Sequence, residues 1–176
     1  MPQGALVLDA GANIGFVSVP LANALREKAG QVLSFEVQKT LYYALCGTVA
    51  LNDLENLFVF NQGLGAHPGR VSVPKQNYSA PADFGTLSLV GESLNTQGTI
   101  EIVRIDDLNL PKLDFLKIDV EGMELDVLRG GSKTIKHGRP WCWVEYHKID
   151  RNELILFFSQ MDYVLFAMDA LNVLCG

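Results

Sequence analysis

The stretch Val7-Leu8-Asp9-Ala10-Gly11-Ala12-Asn13-Ile14-Gly15 decides how the rest of the chain is read. Ala5 to Leu8 form a short apolar run that stops at a carboxylate, the pattern of a buried parallel strand. In the turn that follows, Gly11 and Gly15 allow sharp bends and close approach to a ligand, and Asn13 tolerates a left-handed backbone. A dinucleotide fingerprint would need glycines at 11, 13 and 16, but the chain has Asn13 and Phe16. This disfavours NAD or FAD binding by that motif. The G-x-x-x-x-G-K-[ST] pattern is absent too, which removes a P-loop. What remains is an acid-x-G-x-N-x-G turn from strand to helix.

Outward from this turn, strands and helices alternate. A helix is expected from about 17 to 28, with Leu21, Ala22 and Leu25 on one stripe and Pro20 tolerable only near its first turn. Val32-Leu33-Ser34-Phe35 reads as a second strand ending at Glu36, and a helix from about 39 to 52 is weakened by Gly47. Leu57-Phe58-Val59-Phe60 reads as a third strand, ending at Asn61. The stretch 67–98 is rich in Gly, Pro, Ser and Asn and is expected to be an irregular insertion of hairpin and loop, with extended pieces at 71–73 and 86–90. Another extended piece is expected at 99–105. Regularity then resumes: a strand at 115–119, a helix from about 123 to 128 stopped by Gly130-Gly131, a strand at 141–145, a helix at 149–160, and strands at 163–167 and 172–175.

This order implies an α/β fold: a Rossmann-like open sheet, mostly parallel, with helices on both faces. The last two strands are joined by a turn only, so the final strand should run antiparallel. Residues 1–176 are expected to form a single domain. A hydrophobic share of 48% suits a sheet buried on both sides. The net charge of −6 and the lack of any basic cluster argue against a nucleic-acid track. Cys46, Cys142 and Cys175 form no CxxC pair, so neither a zinc knuckle nor a thioredoxin-type site is supported, and reduced thiols are expected. No apolar run is long enough to span a bilayer and no signal-type segment opens the chain, so the expected compartment is the cytoplasm.

Ligands of open α/β sheets bind beyond the carboxyl ends of the strands. Asp9, Glu36, Asn61, Asp119, Glu145 and His147 all follow apolar runs there. Glu36 ends the strand beside the glycine turn, where a carboxylate can accept hydrogen bonds from both hydroxyls of a ribose. In Lys117-Ile118-Asp119-Val120-Glu121-Gly122-Met123-Glu124, alternation puts Phe115, Lys117 and Asp119 on one face; Glu121 and Glu124 could equally stabilise a helix start. Alternation also aligns Trp141, Trp143, Glu145 and His147. A histidine there could take a proton from a substrate hydroxyl, although a lone histidine after a strand is more often a solvated loop residue. Asp119, Glu145 and His147 could together bind a divalent cation, but they follow no recognised metal-ligand spacing, and no metal is expected.

Taken together, Val7 to Gly15, Ser34-Phe35-Glu36, Leu116 to Glu124 and Val144-Glu145-Tyr146-His147 resemble the FkbM-type methyltransferases, over almost the whole chain from Leu6 to Leu174. The resemblance implies a seven-stranded class I methyltransferase sheet with S-adenosylmethionine (SAM) as donor. It also implies methylation of a hydroxyl oxygen, since known members act on sugars of glycolipids and oligosaccharides or on polyketides. By the same resemblance Asp9, Gly11, Ala12, Asn13, Gly15 and Phe16 would surround the methionine part of the cofactor. Glu36 would hold the ribose and Asp119 would stand near the transferred methyl. The expected activity is O-methylation of a small-molecule or glycan acceptor, with His147 or Asp119 as base and Glu145 orienting. The alternative is an idle nucleoside-binding or interaction domain of the same fold. Three departures stand out. Val37 replaces the proline that commonly follows the ribose-binding acid, Pro20 intrudes on the first helix, and a start this close to the first strand would leave the cofactor more open.

Overall fold

The computed structural model describes residues 1–74 and 96–176. Its strands are β1 (Leu6–Ala10), β2 (Gln31–Phe35), β3 (Leu57–Phe60), β4 (Gly63–Leu64), β5 (Gly69–Pro74), β6 (Thr96–Val103), β7 (Phe115–Ile118), β8 (Trp141–Glu145), β9 (Leu165–Ala167) and β10 (Asn172–Cys175). Its α-helices are α1 (Ser18–Leu25), α2 (Lys39–Leu51), α3 (Glu124–Gly130), α4 (Ser132–Gly138) and α5 (Arg151–Ser159). Seven strands make the main sheet in the order β3-β2-β1-β7-β8-β10-β9, and three make a small one, β4-β6-β5.

All five residues of β1 are buried, because helices cover both faces of the strand. Alternation sorts its side chains: Leu6, Leu8 and Ala10 enter the core with Ile105, Leu128, Ile135 and Phe158. Val7 enters the opposite core with Ala22, Leu25, Leu45 and Leu57. The main sheet is parallel except at β10, which pairs antiparallel with both β8 and β9. Strand order reverses at β1, with β2 on one side and β7 on the other. A crevice therefore opens above the carboxyl ends of these strands.

Several expectations at the level of elements meet a different outcome. The first helix ends at Leu25 and tightens into a 3₁₀ turn over Arg26–Lys28, which a left-handed Ala29 closes. Pro20 is the third helical residue, where the missing N–H has no intrahelical partner to lose. Gly130 and Gly131 do not end the helical region, since α4 follows at once. They are instead points of close packing. A Cβ on Gly130 would lie 2.0 Å from the Gly65 carbonyl oxygen, and one on Gly131 would press on Ile105. The last helix starts at Arg151 on an N-cap, Asp150, whose carboxylate accepts from the Asn152 amide. Tyr163 precedes β9 and is drawn into the core, donating to the Pro140 carbonyl at 2.9 Å.

Of the stretch 67–98, β5 and the start of β6 form an antiparallel pair, and the extended piece expected at 86–90 lies outside the described residues. Two-residue β4, which the sequence did not signal, lies parallel to the end of β6. Trp143 on β8 donates its indole N–H to Asn172 Oδ1 on β10 at 2.9 Å. Cys142 and Cys175 face each other across the same strand pair as free thiols. Burial pushes both up, Cys175 to about 12, so neither is a nucleophile. Among the described residues, no helix is long and apolar enough to cross a membrane.

Candidate functional site

A pocket of about 390 Å³ occupies the crevice at the strand ends, within the usual size range of small-molecule sites. Its walls come from the ends of β1, β2, β7 and β8 and the loops that follow them, with Gln62, Gly63 and Leu64 closing one side. Gly11, Asn13, Glu36, Asp119, Glu145 and His147 all line it. Asp9, Ala12, Gly15 and Phe16 do not, and Phe16 is 79% exposed.

The glycine turn is shaped by its neighbours. Gly11 has φ +80°, and a Cβ there would lie 1.8 Å from the Asp119 carbonyl oxygen. The loops after β1 and β7 thus touch backbone to backbone. Asn13 is left-handed at φ 52°, as its residue type suggested. Gly15, at φ +96°, leaves room for Val19 and Leu45. These are the two places where this loop needs glycine.

Glu36 follows β2 and is 4% exposed. One oxygen accepts the Asn13 N–H at 2.8 Å and the other the Gln38 N–H at 2.7 Å. The carboxylate therefore ties the β1 turn to the start of α2 while keeping lone pairs for hydroxyl donors in the pocket. Burial pushes its carboxyl above the usual carboxylate range, against the pull of these two amides. Asn61 donates to the Glu36 and Val37 carbonyls and so braces the same corner from β3.

Asp9 has gone to the core. It is fully buried and aligned with Ser34 on β2 and Lys117 on β7. Ser18 Oγ donates to Asp9 Oδ2 at 2.5 Å and lies 2.6 Å from Ser34 Oγ, while Lys117 Nζ stands 3.1 Å from Asp9 Oδ1. Lys117 also donates to the Gly11 carbonyl at 2.7 Å and lies 3.5 Å from Asp119 Oδ2. Its ammonium thus joins the core acid, the glycine turn and the pocket acid. Sequence reasoning gave Lys117 no role, although a lysine inside Phe-Leu-Lys-Ile, two residues before a pocket acid, was the available signal. Burying an ion is costly unless it is paired and hydrogen-bonded, and Lys117 is both.

Beyond β7 the backbone turns through left-handed Glu121 (φ 61°) and Gly122 (φ 106°). Glu124, 1% exposed, reaches back from α3 to accept the Val120 and Gly122 amides, so it shapes this loop as well as opening the helix. Glu121 is closed by an ion pair with Lys148. At the end of β8, Glu145 Oε2 lies 3.2 Å from His147 Nδ1. One polar atom each of Glu121, Glu145 and His147 falls within 4.8 Å of the others. Burial first, then the neighbouring Asp119 carboxyl and the nearby Glu121 and Glu124 charges, push the Glu145 carboxyl up to about 8. Met123 and Leu171 supply apolar wall at this end, and sequence pattern marked neither as a site residue.

The pocket thus has two halves. One is the glycine turn with its flanking carboxylate, Glu36; the other is a cluster of carboxylates beside a histidine. The sequence model of the methyltransferase FkbM domain matches residues 9–165. Methyltransferase sdnD of Sordaria araneosa is 26% identical over 163 residues, covering 74% of this chain and 61% of that protein. Methyltransferase 1 of Beauveria bassiana is 24% identical over 151 residues, covering 73% and 59%. The chain therefore spans about three fifths of the length of these curated relatives. The crystal structure of methyltransferase FkbM from Methylobacillus flagellatus superposes with a TM-score of 0.72 at 19% identity, over 99% of this chain and 44% of that one. A SAM-dependent methyltransferase of Aquifex aeolicus superposes with a TM-score of 0.50 at 14% identity, over 99% and 82%. These likenesses give the class I methyltransferase fold, and the family match goes further: the chain belongs to the FkbM methyltransferase family.

Proposed function

We propose that this pocket binds SAM and that the chain serves methyl transfer to a hydroxyl of a small-molecule or glycan acceptor. The observation that carries the reading is Glu36, a buried carboxylate at the end of β2 that lines the pocket beside Gly11, where a Cβ would lie 1.8 Å from the Asp119 carbonyl oxygen. Gly11 and Asn13 line the adjoining wall, and the volume suits a nucleoside-sized ligand. SAM, when bound, supplies an already activated methyl group. The residues then have to hold the acceptor in line, keep water out and receive the hydroxyl proton. His147 or Asp119 receives it, and Glu145 orients His147 through the 3.2 Å contact. Ala12 and Gly15 shape the turn without lining the pocket, Phe16 follows it as an exposed side chain, and Asp9 supports it through Lys117. Acceptor selection is assigned to the stretch 67–98, rich in Gly, Pro, Ser and Asn, because such segments can vary without altering the scaffold. Free cysteines and the lack of a membrane-crossing helix among the described residues agree with a cytoplasmic setting.

Thermal unfolding with SAM and S-adenosylhomocysteine (SAH) tests this reading. Ligand at a hundred times its dissociation constant should add about 2.7 kcal/mol, and for a domain of this size that raises Tm by roughly 5–10 °C. The rise should shrink in Glu36→Gln, which keeps the shape but loses the charge. No rise in the wild type, with no heat of binding by calorimetry, overturns the cofactor assignment. Binding of both ligands without transfer to any sugar or polyketide acceptor favours the nucleoside-binding alternative.

A further inference from the structure

The side chain of Lys117 is 7% exposed on β7, the central strand of the main sheet. A buried ion pair adds little stability that well-packed apolar residues would not supply as well, so the ammonium calls for another reason, and its acceptors provide one. Asp9 Oδ1, at 3.1 Å, belongs to the core. The Gly11 carbonyl, which accepts from Nζ at 2.7 Å, and Asp119 Oδ2, at 3.5 Å, belong to residues that line the pocket. The corner where these two meet is built from backbone. Gly11 and Ala12 donate their N–H groups to the Phe35 carbonyl at 3.0 Å, and Asn13 donates to Glu36, so the donors of the turn face β2. Its carbonyls face β7: Ala10 accepts the Asp119 amide at 3.0 Å, and Gly11 accepts Lys117. On the core side, Ser18 Oγ donates to Asp9 Oδ2 and lies 2.6 Å from Ser34 Oγ, which leaves Asp9 Oδ1 for the ammonium.

We propose that Lys117 is a positioning residue of the cofactor pocket: it holds the glycine turn and the Asp119 carboxylate in one fixed relation, with Asp9, Ser18 and Ser34 anchoring its ammonium from behind. The inference rests on the SAM reading above and adds to it a residue that does not itself line the pocket. The chain of contacts runs one way. Two serines fix Asp9, Asp9 fixes the ammonium, and the ammonium fixes a carbonyl and a carboxylate on two different loops. With both Lys117 and Asp9 made neutral, the core keeps its packing, but the Gly11 carbonyl and Asp119 lose their common partner. The two loops are then free to move separately, and binding has to order them, which weakens affinity.

Two variants separate positioning from mere charge pairing. Lys117→Met leaves Asp9 unpaired in the core, whereas Lys117→Met combined with Asp9→Asn leaves no buried charge there. The double variant should regain most of the Tm that the single one loses, because replacing both partners of a buried pair is close to neutral. Its SAH affinity by isothermal titration calorimetry should nevertheless stay roughly 10–100-fold below wild type, the loss expected for a hydrogen bond from a charged donor. In the absence of ligand, hydrogen exchange in the double variant should quicken at the amides of Gly11, Ala12 and Asp119, while those of Leu8 and Leu116 keep their protection. An SAH affinity that returns together with Tm shows that Lys117 only pairs a core charge, and overturns the proposal. A double variant that fails to fold does the same, since the network is then structural. Unchanged exchange at the three amides also overturns it, with or without a ligand. A wild type that binds neither SAM nor SAH removes the cofactor reading instead, and with it the pocket that Lys117 is said to position, whatever the exchange rates show.

Discussion

Lys117 and Glu145 carry the pocket's electrostatics in opposite ways, one as a satisfied ion and the other as a crowded acid. Breaking a buried pair from one side leaves an uncompensated charge, which costs about 3–5 kcal/mol. Lys117→Met leaves Asp9 in that position and should lower Tm by roughly 6–20 °C, as differential scanning calorimetry would show. Burial and the acids around it push the Glu145 carboxyl of the folded chain up to about 8, against an ordinary value of 4.5. Between these values the folded chain binds more protons than the unfolded one, so its contribution to stability is full below about pH 4.5 and is lost as pH rises through 8. Thermal melts from pH 5.5 to 8.5 should show Tm falling in the wild type and falling less in Glu145→Gln. The sequence marked Glu36, Asp119, Glu145 and His147 as strand-end groups because a polar residue after an apolar run is visible in one dimension. Lys117 escaped because its partners, Asp9 and the Gly11 carbonyl, lie more than a hundred residues away.

Among the elements, the glycines separate local from tertiary demands. Gly11 and Gly15 were legible, since a strand followed by a tight turn asks for positive φ. Gly130-Gly131 misled the reading for an equally physical reason: glycine stops helices, but it also lets two backbones touch. Gly130→Ala should force apart α3 and the loop at Gly65, where the added carbon would lie 2.0 Å from an oxygen. We expect a loss of about 1–3 kcal/mol, read as a lower midpoint in urea with little change in SAH affinity. Gly11→Ala meets a carbonyl at 1.8 Å in addition to its positive φ. It should separate the two pocket loops and abolish SAH binding by calorimetry even where the protein remains folded by far-UV circular dichroism. A helix pair such as α3 and α4 is hard to read from sequence, because α4 is only seven residues long and has one buried side chain, Ile135.

For the whole molecule, strand–helix alternation announced an open parallel sheet, and turn length announced the antiparallel final strand. The insertion of β10 between β8 and β9 was not legible. Hydrophobic pattern says that a strand is buried but not which neighbours bury it. The arrangement has a mechanical meaning, because β9 reaches the rest of the sheet only through β10. Removing residues 172–176 should therefore detach both strands from β8. Hydrogen exchange would then report loss of protection in β9 and along the free edge of β8, while β1, β2 and β3 keep theirs. The two sheet cores, split by alternation along β1, make that partial survival the expected result.

The hydrogen bond from Trp143 to Asn172 gives the protein an optical reporter of its own. Trp143 shares its strand face with Glu145, two residues on, and its indole is tethered to the residue paired with Glu145 across β10. The chain has only one other tryptophan, Trp141 at the far end of β8, which is 49% exposed and lies tilted against Phe166 with ring centroids 6.2 Å apart. Its emission should be red-shifted and indifferent to the pocket. A change in charge at Glu145 should therefore appear as a change in the blue-shifted component alone, so stopped-flow fluorescence can time the filling of the pocket without a label.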